Sequence, residues 1–438
     1  MGRHRNVQVT LDAARPATPR RAPARRTTAP RTTAPRTTEP RTTERRPAGW
    51  VMAVRRLSTS SVLVVLVAVL SMIGLVMVAS ASSVVSISLY GTPWAIFIRE
   101  VIWMFVGVVA FVVAGRVDYR RWPRVSGVLL IVTFLLLLAV LAPGIGVHSG
   151  GSSRWIGFGQ LRLQPSELMK LALAIFGADL ITRRERRGTG YRVIAGPLLL
   201  VAGLAAGLVI MQPDMGTALV LVCITMALLF ASGVPMRPVM KVLCSLAALA
   251  FLIGLVDPYR RARLLSFLNP GAHQAGSGYQ VVQSLIGLGS GHLFGLGLGD
   301  GREKWGLLPN AHTDFIFSVI GEELGLVGAL AVLTLLGALA WFGLRTATRA
   351  PDRFGGLLAV ALVAWITTET LINVGAVVGL LPVTGIPLPF ISFGGSSLVI
   401  TMAAAGILVN IARHETPVEA TGRSARPTGR AGVGRSAR

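Results

Sequence analysis

Asp314, Glu322 and Glu323 lie in "LLPNAHTDFIFSVIGEELG", a stretch otherwise apolar enough to be the wall of a membrane. A carboxylate there can accept a proton from a hydroxyl or hold a cation, and an ionisable residue at membrane depth points to function more often than to packing. The spacing predicts a half-helix over Thr313 to Ile320, the two glutamates at a joint bracketed by Gly321 and Gly325, and a full span from Gly325. On one helix Glu322 stands about 80° around from Asp314 and Glu323 about 180°, with roughly 12 Å of rise, too far for a paired acid and base. Asp314 therefore acts alone or with groups from other helices. Its place in the first helical turn favours the ionised form.

"GSSRWIGFGQLRLQPSELMK", residues 151–170, is the second cluster. Ser166 is suited to cap the helix that Glu167 begins, and Glu167 and Lys170 are an i,i+3 pair that can cancel charge inside a bundle. Lys170 is one of only three lysines. Trp155, beside Arg154, suits an interfacial anchor or a stacking surface for a sugar. Asp214 in "QPDMG" reads as a turn carboxylate.

The elements that must position these groups are membrane helices. Of 438 residues, 52% are hydrophobic and 14% charged, and mean hydropathy is +0.64; soluble domains carry nearer a quarter charged residues. The reading is all-α and polytopic, with about ten spans at Val62–Ala81, Trp94–Gly115, Val125–Ala142, Leu168–Ile181, Val193–Met211, Thr217–Ala231, Val239–Val256, Gly325–Leu344, Phe354–Val378 and Leu398–Ala412. Several fall short of the roughly 20 residues a perpendicular helix needs and are expected to extend. A large extracytoplasmic loop then separates spans seven and eight. Ala79-Ser80-Ala81 has the form of a signal-peptidase site, but the apolar run is too long for a signal peptide and is expected to stay uncleaved.

Arginine and lysine concentrate in loops 116–124, 182–192, 232–241 and 345–353, and are absent from 82–93, 212–216 and 379–397. With both termini inside, ten spans preserve this alternation. The exceptions, Arg154 and Arg162 in one outer loop and Arg260, Arg261, Arg263, Arg302 and Lys304 in the other, suggest an anionic phosphate ligand.

The formal charge of +24 resides mostly in the tails. Residues 1–57 carry fourteen Arg against Asp12, Glu39 and Glu44, and include the repeat RTTAP RTTAP RTTEP RTTER; residues 413–438 carry six Arg against two Glu. Both read as disordered basic cytoplasmic segments flanking a membrane domain at 58–412. Neither interleaves aromatics with its arginines, so lipid headgroups, not nucleic acid, are the expected neighbours. Cys223 and Cys244 sit in apolar runs and form no metal motif. "GLGSGHLFGLGLGDG", residues 287–301, lacks the strand and helix of a dinucleotide site, and there is no GxxxxGK[ST]; it reads as a flexible or closely packed loop.

"SASSV", "GSSRWIGFGQLRLQPSELMK", "QPDMG", "GSGYQVVQS", "LPNAHTDFIFSVIGEELGLVG" and "INVGAVVGLLPVTGIPLPFISFGGSSL" occur in this order. Over residues 57–414 the chain resembles the SEDS family of bacterial cell-wall proteins, and HTDFIF, PFISFGGSSL and "ARHE" resemble its cell-division branch more than its elongation branch. The resemblance implies a peptidoglycan glycosyltransferase of the cytoplasmic membrane, active at the division septum. It would polymerise lipid II, on undecaprenyl-pyrophosphate-linked glycan, with a class B penicillin-binding protein and other division proteins as partners. It places the catalytic carboxylate on Asp314, which can also hold a divalent cation, Mg2+ or Mn2+; no nucleotide or organic cofactor is implied. Trp155, Glu167, Lys170, Arg260, Arg261, Arg263, Tyr279, Gln283, Lys304, His312 and Ser396 become candidates for holding substrate. The family's Glu–Lys pair falls on Glu167 and Lys170. The basic repeat arm departs from related division proteins, so their tail-mediated contacts do not carry over. A lipid II flippase, an elongation-type polymerase and a non-catalytic division scaffold are the alternatives; a flippase needs ionisable residues deep in several spans, and few are seen: Glu369 inside a span, Asp179 near an inner end, and Arg99 with Glu100 in the second span.

Overall fold

A computed structural model describes residues 58–144, 146–149, 152–158, 161–188, 190–241, 243–245 and 278–415. The arm, the tail, most of the expected span Val239–Val256, and Arg260, Arg261 and Arg263 lie outside them.

Helices α1 (Thr59–Tyr90), α2 (Ala95–Arg116), α3 (Trp122–Leu141), α4 (Pro165–Arg186), α5 (Tyr191–Met211), α6 (Met215–Ala231), α7 (Tyr279–Ser290), α8 (Ile316–Arg349), α9 (Arg353–Val377) and α10 (Ser396–Arg413) make up most of the described chain. Among the described residues seven helices are long and apolar enough to cross a membrane: α1, α2, Tyr119–Leu141, α5, α8, α9 and α10. Together with α4 and α6 they overlap nine of the expected spans. Large apolar side chains on the flanks, such as Phe105, Ile131, Leu135 and Trp341, are exposed, a surface suited to lipid and not to water.

Sequence signals set the helix ends. Ser58 caps α1, accepting from Ser61 N at 3.2 Å, and Gly91 closes it at φ 72°, a left-handed conformation that glycine adopts without steric cost. The helix runs unbroken through Ala79-Ser80-Ala81. At 32 residues α1 is about 48 Å long, more than a hydrocarbon core needs. Pro165 opens α4 at its first position, where its missing N–H costs nothing. α4 is charged yet central, packing against α3, α6 and α9; its Glu167 and Lys170 are paired inside the bundle, and Arg183 and Arg186 at its far end are exposed.

The loop between α3 and α4 departs from the all-α expectation. It folds as a three-stranded antiparallel sheet, β1 (Gly146–Ser149), β2 (Ser152–Phe158) and β3 (Leu161–Leu163), in the order β1-β2-β3. Val147 pairs with Trp155 and Ile156 with Leu163. This sheet marks one end of the bundle, here the hairpin end; the arginine-rich loops mark the other.

α8 is broken at Gly325, whose φ of 70° and ψ of −170° are not helical. The half-helix begins at Ile316, not Thr313, because Phe315 occupies the N-cap, and Glu322 and Glu323 form its last turn. The glycine-rich loop repairs the break. Leu296 N and Gly297 N donate to the carbonyls of Glu322 and Glu323 at 3.0 and 3.1 Å, while Leu326 N and Val327 N donate to His292 O and Leu293 O at 2.9 and 3.1 Å. The glycines are needed for close approach: a Cβ on Gly291 would overlap the Gly321 carbonyl oxygen, and one on Gly295 the Glu323 carbonyl. This is the close-packed loop, not the flexible one.

Residues 378–395, between α9 and α10, are irregular, with Gly379, Gly385, Phe390 and Gly395 at positive φ. Phe390 and Ile391 pack against α1 at Gly74, where a Cβ would stand 2.6 Å from Phe390 O. Gly74 is near the middle of α1, so this backbone is buried among helices, the setting in which irregular chain is tolerated at membrane depth.

Candidate active site

Asp314 sits at the hairpin end, in the turn that leads into α8, one residue before the N-cap and outside the expected first helical turn. Asn310, at φ 60°, makes this turn; its carbonyl accepts from Thr313 N at 3.1 Å and Phe315 N at 3.3 Å. Asparagine is among the few side-chain-bearing residues that take this conformation readily. Asn373 of α9 donates through Nδ2 to the Asp314 carbonyl at 2.8 Å and to the Ile386 carbonyl at 2.8 Å. Asp314 Oδ2 lies over Gly385, at φ +77°, 3.5 Å from where a Cβ would stand. The carboxylate thus faces a turn of the 378–395 segment, and one amide ties the two backbones together.

His312 is two residues away. Its ring packs against Phe393 at a tilt of 57°, centroids 5.7 Å apart, and its carbonyl accepts from Phe393 N at 3.0 Å. Burial lowers its pKa to about 4, so the imidazole is neutral at pH 7 and offers no cation to a pyrophosphate; it can serve only as a neutral hydrogen-bonding partner.

Beneath Asn373, one turn along α9, Glu369 meets Lys170 of α4 in a buried ion pair. Lys170 also pairs with Glu167 at 2.7 Å and lies over the Trp365 ring at 5.1 Å. Lys170 is 1% exposed and both glutamates no more than 3%. A buried charge survives only when paired, and here two carboxylates from two helices share one ammonium.

The start of α4 is laced to its neighbours. Ser166 is the second residue of the helix and not its cap; the N-cap is Gln164, with no side-chain cap bond. Gln164 Nε2 donates to Ser166 Oγ and to Asp214 Oδ2, each at 3.0 Å, and Gln164 N donates to Ser396 Oγ at 3.1 Å. Asp214 is more than a turn carboxylate. It caps α6, accepting from Thr217 N at 3.1 Å and Thr217 Oγ1 at 2.9 Å. Arg154 of β2 donates to the carbonyls of Gln212, at 3.1 Å, and Pro213, and its guanidinium is 4.0 Å from Asp214. Ser396 and Arg154 therefore hold structure at this end, and Trp155, next along β2, is half-buried.

Other candidates stand apart. Lys304 is buried, donating to Ser80 Oγ at 3.0 Å, to Gly299 O and to Glu323 Oε1 at 3.0 Å; its ammonium is committed to the α8 break and not offered to a ligand. Glu322 accepts from Arg302 N at 2.6 Å and from Glu303 N. The two glutamates that follow Asp314 thus fasten the glycine-rich loop to α1 and α8. Tyr279 and Gln283 are half-buried on α7, which is tied to α9 by Ser284 Oγ donating to Val377 O at 2.8 Å. Sequence reasoning passed over Asn373 and did not join Glu369 to Lys170; the available signal was Glu369 and Asn373 one turn apart in a mostly apolar helix.

Membrane helices around a buried charged triad, with a carboxylate mounted at one end of the bundle, define a polytopic membrane protein. The chain belongs to the FtsW/RodA/SpoVE family, described as "Cell cycle protein", which matches residues 60–417. It is 40% identical over 365 residues to stage V sporulation protein E of Bacillus subtilis, covering 83% of this chain and 99% of that one. To the probable peptidoglycan glycosyltransferase FtsW of Mycobacterium tuberculosis it is 39% identical over 372 residues, 85% of this chain and 71% of the relative. It also matches a solved structure described as "Structural coordination of polymerization and crosslinking by a peptidoglycan synthase complex" with TM-score 0.65 and 28% identity, over 81% of this chain and 97% of that one.

Proposed function

We propose that this chain is a peptidoglycan glycosyltransferase that polymerises lipid II at the outer face of the cytoplasmic membrane during septal wall synthesis. The observation that carries the reading is Asp314, a carboxylate at the hairpin end of the bundle, fixed over Gly385 by Asn373, in a family whose relatives are named peptidoglycan glycosyltransferases.

Asp314 receives the proton of the attacking GlcNAc 4-hydroxyl as that oxygen bonds to the anomeric carbon of the growing chain. The bond from that carbon to undecaprenyl pyrophosphate breaks, and the pyrophosphate leaves with the electron pair. The lipid-linked donor is already activated, so no nucleotide is needed. Arg260, Arg261 and Arg263 are assigned to the leaving pyrophosphate as charge-assisted donors. Among the described residues no group of three metal-ligating side chains assembles. A single protein carboxylate can nevertheless suit Mg2+, which is commonly held by one or two carboxylates together with substrate phosphates; Asp314 would hold it, and the ion would supply charge neutralisation. The Glu167–Lys170–Glu369 triad fixes α4 against α9 beneath the site.

A class B penicillin-binding protein is the proposed partner, in keeping with the coupling of polymerization and crosslinking in the matched complex. The hairpin end is assigned to the outside and both termini to the cytoplasm, on the arginine pattern. The test is polymerisation of labelled lipid II by the purified chain, alone and with a transpeptidase that has no glycosyltransferase of its own. Glycan ladders support the reading; lipid II transport across vesicles without ladders would replace it with a flippase.

A further inference from the structure

We propose that Asn373 is the positioning residue for Asp314, setting where the carboxylate stands through its backbone; the inference rests on Asp314 being the catalytic carboxylate. The helical ladder of α8 starts at Phe315, whose carbonyl accepts from Ser318 N at 2.9 Å and Val319 N at 3.4 Å. The Asp314 carbonyl therefore falls outside that ladder and takes its donor from Asn373. The same Nδ2 bonds Ile386 O, the residue after Gly385, over which Asp314 Oδ2 lies. One amide thus bonds both the catalytic backbone and the turn it faces, two segments otherwise joined nearby by the Phe393 N to His312 O bond. Asn373 is 2% exposed, and its Oδ1 has no hydrogen-bond partner among the described residues. Both amide hydrogens are used, and a flipped amide would set oxygen against two carbonyl oxygens, so the side chain has one orientation.

Asn373 also stands one turn from Glu369 on α9, which places it at the top of the Lys170 triad. A lateral error of about 1 Å at a reacting group can cost about 100-fold in rate. Loss of the amide should therefore lower kcat far more than it raises KM.

Rates against lipid II concentration are measured for the wild type, Asn373→Ala, Asn373→Leu, Asp314→Asn and Asn410→Ala, each purified with its transpeptidase, with melting temperature followed in parallel. Asn410 is the comparator. It is buried at the opposite end of the bundle, accepts from Tyr119 N at 3.0 Å and donates to Gly115 O at 2.9 Å. The expected result is a fall of about 100-fold in kcat per folded molecule for both Asn373 variants, with KM changed less than about threefold; Asn410→Ala should lower the melting temperature without that split. Wild-type kcat in the Asn373 variants, with Asp314→Asn inactive, overturns the positioning role alone. An active Asp314→Asn overturns both it and the catalytic reading. Failure of both Asn373 variants to fold, while Asn410→Ala folds, would make Asn373 a structural staple.

Discussion

Lys170 on α4 and Glu369 on α9, 199 positions apart, form a buried ion pair. Because Glu167 shares the same ammonium, one lysine pairs with two carboxylates, and α4 and α9 cannot separate without leaving buried charge unpaired. Asn373, one turn further along α9, carries that rigidity to the backbone of Asp314.

Lys170→Ala should be far more damaging than Arg302→Ala. The first strands Glu167 and Glu369, and breaking a buried pair by removing one partner typically costs about 3–5 kcal/mol; Arg302 is exposed, where losing a side chain changes stability by about 0.5 kcal/mol or less. Glu369→Gln should fall between, since Lys170 keeps Glu167. Melting temperature and retained polymerisation check the order, and equal behaviour of the two alanine variants would count against the triad.

The close-packed glycines give a second ranking. Gly291→Ala places a methyl on the Gly321 carbonyl and should destabilise the α8 break, where overpacking costs about 1–3 kcal/mol or more. Gly299→Ala, at φ +90° with nothing within 4 Å, meets only backbone strain of about 1–2 kcal/mol. Protease nicking between residues 291 and 301 should increase in the first variant; increases of the same size in both would undo the packing explanation.

These contacts show what the sequence could carry. Apolar runs located the described helices except α7, which lies in the segment read as an outer loop, because lipid demands continuous hydrophobicity, and the i,i+3 spacing of Glu167 and Lys170 marks a local pair. Glu369 could be seen inside a span, but its partner could not, because local spacing says nothing about which helices become neighbours. Ser166 reads as a cap by residue type, yet Pro165 is preset for the first helical position, which moves the start ahead of the serine. The helix start at Asp314 is misread in the opposite direction: Thr313 looks like an N-terminal signal, while the Asn310 turn keeps residues 311–315 out of the helix. Period-2 patterning in "SSRWIGF" and "LRL" was available as a strand signal but lay inside a loop between strong helices.

Glu303 supplies a pH test. Burial, then the neighbouring charge of Glu322, raises its pKa to about 7, and its Oε2 has no hydrogen-bond partner among the described residues. A folded-state value above the ordinary 4.5 means the fold binds this proton more tightly than the unfolded chain does. Its contribution to stability is therefore full below about pH 4.5 and is lost as pH rises through about 7. Glu303→Gln should match the wild type near pH 5 and melt higher at pH 8. Parallel melting curves from pH 5 to 8 would show that Glu303 does not titrate in this way.

Topology can be read with a reporter active only outside the membrane. It should work when fused at Gly276 and fail at Gly188, which lies in an arginine-rich loop. Activity at Gly188 would invert the bundle and put Asp314 on the wrong side for lipid-linked substrate presented outside.

Asp314→Asn isolates charge from shape. The amide keeps the side-chain volume, and the Asn373 bond is unaffected because it is made to the Asp314 backbone carbonyl; the variant should therefore insert, fold and retain its transpeptidase. Polymerisation should nevertheless collapse, since an amide can neither accept the sugar hydroxyl's proton nor hold a divalent cation well, and loss of a general base costs about 10²–10⁴ in rate. Labelled glycan chains from wild-type and variant complexes, separated on gels with chelator in half the samples, give the answer. Chelator sensitivity of the wild type would indicate that Asp314 works with a cation; insensitivity leaves it as the proton acceptor alone. A scaffold would be indifferent to the substitution, and a flippase would lose transport without having any polymerisation to lose. Chains made at near the wild-type rate by the Asn variant would remove Asp314 from the chemistry.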